Sequence, residues 1–169
     1  MATAAQWAVG YIRQAHADFQ AWEAISQAEE TCECHIMLFL QMACEKLCKT
    51  HLILAGTPPA SLQSSHGYIA NPLPVVIREQ LIVMRRDLNG MAGVLIYSRH
   101  VAAEIELLNP AVNRARQRPD NCEYPWEDGM GELRSPLDWT FHPSKLLTDP
   151  TGRTFLKLLR AAITRLLPE

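Results

Sequence analysis

The stretch Phe39-Leu-Gln-Met-Ala-Cys-Glu-Lys-Leu-Cys-Lys-Thr-His-Leu-Ile-Leu-Ala-Gly-Thr-Pro-Pro59 decides the fold of this chain. From Ile36 onward the small and apolar residues Met37, Leu40, Ala43, Cys44, Leu47, Cys48 and Leu54 recur every three or four positions, the period of a helix with one buried face. Thr31 is a suitable N-cap, and Gly56 followed by Pro58-Pro59 supplies the stop. The spacing therefore predicts a helix running from the neighbourhood of Glu33 to Gly56.

The same period extends outward on both sides. Trp7, Tyr11, Phe19, Trp22 and Ile25 form one stripe and predict a long amphipathic helix from Thr3 to about Gln27. Beyond the Gly/Pro/Ser segment from Gly56 to Ser65, Asn71-Pro-Leu-Pro74 opens a further helical stretch reaching Leu108. Asp87-Leu-Asn-Gly90 interrupts this stretch, and the pattern is compatible with one bent helix or with two. Residues 109 to 148 carry five prolines, Gly129 and Gly131, and the aromatic residues Tyr124, Trp126 and Trp139, which predicts an ordered but irregular excursion. Asp149-Pro150 then caps a last helix with Phe155, Leu158, Leu159, Ala162, Ile163 and Leu166 on its buried side. The expected architecture is all-α, a single domain over residues 1–169 built as an antiparallel bundle of four to five helices, with the long irregular loop of about 109–148 before the last helix.

Composition narrows the function. The chain has 169 residues, 48% of them hydrophobic and 20% charged, the balance of a soluble domain with a core of ordinary size. The first residues lack the basic and apolar regions of a signal peptide, so a cytoplasmic location with no membrane association is expected. Five cysteines, an odd count concentrated in predicted helix, read as free thiols. A net charge of −2 argues against bulk capture of nucleic acid. Charge is uneven, however: residues 78 to 118 hold seven arginines against four acids, and residues 120 to 138 hold six acids against Arg134.

Gln41, Glu45, Lys46, Lys49, Gly56 and Pro59 together resemble the signature helix of HEPN-family bundles, a Gln-x-small-x-Glu-Lys-x-x-Lys helix closed by Gly-x-x-Pro. Ser65-His66-Gly67-Tyr68-Ile69 is similar to that family's opening of the next helix, with Gly67 in place of the usual acid. Arg114-Ala-Arg-Gln-Arg118 and Tyr124-Pro125 look like the segment that many such proteins carry before their final helix. The resemblance implies dimerisation through helix faces and a role in bacterial toxin–antitoxin, defence or nucleotidyltransferase-associated systems. Many active members are metal-independent ribonucleases with an Arg-x4-6-His motif, in which histidine moves a proton and arginine grips phosphate. No histidine of this sequence has an arginine at that spacing; Arg134 precedes His142 by one residue too many.

The expected function is accordingly a non-catalytic HEPN-like helical module that forms a homodimer and binds a protein or nucleotide-containing partner, RNA included. Alternatives are a divergent ribonuclease using Arg134 and His142, and an accessory subunit of a separately encoded nucleotidyltransferase. Candidate contact residues are Arg114 and Arg116, whose guanidinium forks match phosphate, Tyr124 and Trp126, which with Trp139 and His142 could stack on a base, and Lys46 and Lys49 on the rim of the second helix. Glu45 and Lys49, four residues apart, are expected to pair on the solvated helix surface. Asp138 with His142 is the weakest acid–base candidate. Cys44, Cys48 and His51 share a helical face at ligand spacing, but Met37 and Leu40 on that face mark it as core; no metal and no cofactor are expected.

Overall fold

The structure, a computed structural model, describes residues 2–112 and 120–168. Five long helices make the bundle: α1 (Ala4–Ile25), α2 (Glu33–Leu54), α4 (Pro72–Val83), α5 (Ala92–Glu106) and α7 (Pro150–Leu166). Two short helices, α3 (Pro59–Leu62) and α6 (His142–Leu147), a 3-10 turn (Pro136–Asp138) and a two-stranded antiparallel ribbon of β1 (Trp126–Glu127) and β2 (Leu133–Arg134) complete the described elements. Helix α1 packs along the length of α2, while α4, α5 and α7 pack on one another, α4 and α5 lying against α2 and α7 against α1. The all-α bundle expected from the sequence is the observed fold.

Capping chemistry explains the boundaries. Thr3 opens α1 with a capping box: its side chain accepts from the Gln6 amide and the Gln6 side chain accepts from the Thr3 amide. Helix α2 starts at Cys32 as N-cap without a side-chain bond, so Thr31 is not the cap the sequence implied. It ends as expected: Gly56 takes a φ of 98°, Thr57 N donates to Leu52 O and Gly56 N to Ile53 O, the paired bonds that satisfy the last carbonyls.

The stretch after Asn71 resolves into two helices. Arg85 adopts a φ of 52° and repeats the closing pattern, Arg86 N bonding to Leu81 O and Arg85 N to Ile82 O, so α4 stops there although no glycine marks the spot. Asp87 then accepts from the amides of Asn89 and Gly90 and turns the chain into α5. Helix α4 itself begins at Pro72, two residues before Pro74.

The core is continuous through the five long helices, with Phe19, Leu40, Leu47, Ile77, Ile105, Phe141 and Phe155 among its buried members. Phe141 belongs to the segment expected to be irregular, which carries more order than its prolines imply. It is the N-cap of α6 and wholly buried. Its amide donates to Glu33 Oε1 at 2.7 Å, tying the start of α6 to the start of α2 across 108 residues of chain. At the other end of α6, the Tyr97 hydroxyl of α5 donates to Leu146 O. Burial, with Asp149 nearby, pushes the Tyr97 hydroxyl up to about 12.

The turn from α6 into α7 depends on one glycine. Asp149 caps α7 by accepting from Gly152 N, and a Cβ on Gly152 would stand 2.7 Å from Leu147 Cα and 2.8 Å from the Tyr97 hydroxyl. Gly152→Ala is expected to lower stability by about 1–3 kcal/mol in denaturant unfolding, because this overlap with backbone outweighs the ~1 kcal/mol alanine gains in helix propensity.

Candidate functional site

Three polar constellations stand out from the apolar bundle. The first is the row Gln41, Glu45 and Lys49 on α2. The sequence places the Glu45–Lys49 pair on a solvated helix surface and Lys49 on a rim; the structure corrects both, since Glu45 is 8% and Lys49 4% exposed. Lys49 Nζ lies 2.7 Å from Glu45 Oε1, Gln41 Nε2 donates to Glu45 Oε2 at 3.2 Å, and His66 Nδ1 is 3.2 Å from Glu45 Oε1. Lys49 Nζ also sits 5.7 Å from the ring centre of Tyr11 and 5.9 Å from that of Tyr68, close enough for cation–π attraction. The shift from surface to interior arises because α1 and the segment around Tyr68 both cover this face, which helical spacing along α2 alone does not reveal. Lys46 is the half-exposed member, 2.5 Å from the buried carboxylate of Asp18, so it ties α2 to α1.

The second constellation joins α5 to α6. His100 and Glu104 are one turn apart on α5, and His142 is the first residue of α6. His142 Nδ1 is 2.8 Å from Glu104 Oε2, and the His100 and His142 rings meet edge to face with centres 5.8 Å apart. Glu104 is half-buried and both imidazoles are exposed, so the cluster opens to solvent on one side.

The third is a cleft of ≈ 470 Å³ between α4 and α5, lined by Asn71, Pro74, Val75, Leu95 and Ala103 and carrying Arg78 and Arg99. No acid is among its described lining residues. Both arginines are exposed, and each lies in the arginine-rich stretch noted in the sequence. On α4 the apolar Val75 and Ile82 share the face of Arg78, and on α5 Ile96 precedes Arg99 by three residues. Ile82 is 48% and Ile96 67% exposed.

Arg134 and His142 are engaged by separate partners. Arg134 is held in the β1–β2 hairpin, with Nε 2.8 Å from Asp128 Oδ2 and Nη2 2.6 Å from Glu132 Oε2. Asp128 in turn accepts from the amides of Glu132 and Met130, which with Arg134 keep its carboxyl below the usual range. His142 faces Glu104 instead. Trp126 is buried and meets Trp139 edge to face at 5.3 Å, Tyr124 is exposed, and the ring that meets His142 is that of His100. Asp138 is exposed in a 3-10 turn, Pro136–Asp138. Arg114 and Arg116 lie outside the described residues. Cys44 and Cys48 are fully buried free thiols whose deprotonation burial opposes strongly, and His51 turns to Glu79 at 3.5 Å.

Sequence reasoning missed the His100–Glu104–His142 cluster. Its only local signal was the one-turn spacing of His100 and Glu104; the third member arrives from 38 residues downstream. Comparison with family models, curated proteins and solved structures finds no match to this chain.

Removing one partner of a buried ion pair strands the other charge. Glu45→Gln is therefore expected to cost about 3 kcal/mol in urea unfolding, and Glu45→Gln combined with Lys49→Met to cost less than the sum of the single changes by about 1–2 kcal/mol.

Proposed function

We propose that this chain is a HEPN-like helical module that acts by binding, and that its ligand surface is the α4–α5 cleft, which takes a phosphate-bearing group of a nucleotide or RNA partner. The observation that carries the reading is the pair Arg78 and Arg99 on one apolar-walled cleft with no carboxylate among its described lining residues. Guanidinium groups present planar donor forks to phosphate, and the leucine, valine and proline walls offer an apolar surface to a base. The exposed apolar side chains Val75, Ile82, Val83 and Ile96 on the same two helices support self-association as a homodimer. A toxin–antitoxin or defence setting, or service to a separately encoded nucleotidyltransferase, is consistent with this surface.

A ribonuclease that uses Arg134 with His142 is the less favoured reading, since Arg134 is engaged by Asp128 and Glu132 and His142 by Glu104.

Fluorescence anisotropy with a labelled single-stranded RNA oligonucleotide tests the binding reading. Arg78→Ala and Arg99→Ala are each expected to weaken binding about tenfold and to reduce the salt dependence by roughly one counterion. Unchanged affinity in the double variant, or RNA cleavage that disappears with His142→Ala, would sink it. In sedimentation experiments Ile96→Glu is expected to shift a dimer toward monomer, with circular dichroism unchanged.

A further inference from the structure

We propose that His100, Glu104 and His142 form a binding site for a divalent first-row transition ion, with Zn2+ the best-suited occupant. The three side chains offer one ligand atom each, and these atoms all lie within 4.8 Å of one another. At metal–ligand bonds of about 2.1 Å, donors on one ion are about 3.0 Å apart at right angles and about 3.4 Å apart in a tetrahedron. The 2.8 Å separation of His142 Nδ1 from Glu104 Oε2 is already close to that distance. His100 completes the set by drawing in by roughly 1.5 Å, a displacement that side-chain rotation on an exposed helix position supplies.

An ordinary hydrogen bond accounts for His142 with Glu104 and leaves His100 unexplained. Metal coordination uses all three. The spacing of His100 and Glu104 puts two donors on one face of α5, a geometry that a rigid helix holds without further ordering. The third donor is fixed from both ends of its helix. Phe141, the residue before His142, is buried in the core with its amide bound to Glu33, and the far end of α6 is held by the Tyr97 hydroxyl. A ligand set whose supports are locked in this way binds with little reorganisation.

The donor set selects the ion. Two imidazoles and one carboxylate favour zinc and its first-row neighbours over Ca2+ or Mg2+, which prefer all-oxygen shells, and the absence of sulfur from the trio disfavours Cu(I). Three protein ligands with an open side toward solvent leave at least one position for water or an oxyanion, the arrangement of exchangeable rather than closed structural zinc sites. Binding requires neutral imidazoles, so protons compete with the ion for the site. The inference stands on different residues from the α4–α5 cleft, and failure of either leaves the other intact.

The test uses untagged full-length protein carrying Cys32→Ser, which removes the cysteine that is not buried. After chelator treatment, Co2+ is titrated by its visible absorption and Zn2+ by competition and calorimetry. The expected result is one ion per chain, a cobalt spectrum without thiolate charge-transfer bands, and a melting temperature that rises with Zn2+. His100→Ala, at an exposed position where folding is not at stake, is expected to weaken binding at least about 100-fold. His142→Ala is expected to do the same, and both together to remove the thermal shift. No saturable binding up to millimolar metal, a cobalt spectrum dominated by thiolate bands, or a loss below tenfold in His100→Ala would overturn the proposal.

Discussion

A helix with almost no solvent face is the constraint around which this molecule is arranged. Helix α2 is contacted by α1, α4, α5 and α6, and twelve of its residues are buried, among them Gln41, Glu45, Lys49 and Thr50. Apolar members of such a helix stabilise the bundle simply by leaving water, but each buried polar group must find a partner within the protein. The carboxylate of Glu45 meets this requirement for three neighbours at once, gathering Gln41, Lys49 and His66, while Thr50 bonds back to Lys46 O. Gln41 and Lys49 belong to α2 itself, so these contacts satisfy the helix's buried charge largely from within, and His66 pins the segment before α4 against it.

Other polar ties extend the same logic outward from α2. Asp18 accepts from Gln14 and Lys46 and locks α1 against it. Glu33 reaches forward to Phe141, and Glu106 accepts from the amides of Ile69 and Ala70, closing the approach to α4. Arg165 of α7 donates to the buried Gln80 of α4. Carboxylates and amides at element ends thus fix where the helices begin, and the apolar stripes fix which way they face.

Much of this fold was legible in the sequence. The stripes of α1, α2 and α7, the stop at Gly56 and the Asp149 cap are local patterns, and local patterns survive without knowledge of the partner surface. Less visible were features created by packing. Lys49 has the local look of a surface lysine, because nothing between Phe39 and Pro59 announces that Tyr11 and Tyr68 will cover it. The end of α4 falls at Arg85, a residue that rarely takes positive φ, and the sequence offered Asp87 to Gly90 as the break instead. The same limit hid the histidine cluster: one turn of α5 supplies two of its members, but His142 comes into reach only once Phe141 has entered the core. The arginines of the α4–α5 cleft were visible as a charge asymmetry and not as a pair, because Arg78 and Arg99 stand on different helices.

The bond from Phe141 to Glu33 has a temporal meaning as well as a spatial one. Contacts of such long sequence separation form after the loops they close have been paid for in chain entropy, whereas α1 with α2 and α4 with α5 are neighbours that can pair early. Helix α6 reaches Glu33 only by closing that long loop, and His142 travels with it. The contact of His142 with Glu104 exists only while α6 is docked on α5, so a probe of that contact reports the docking of α6 and not merely the pairing of α1 with α2 or of α4 with α5.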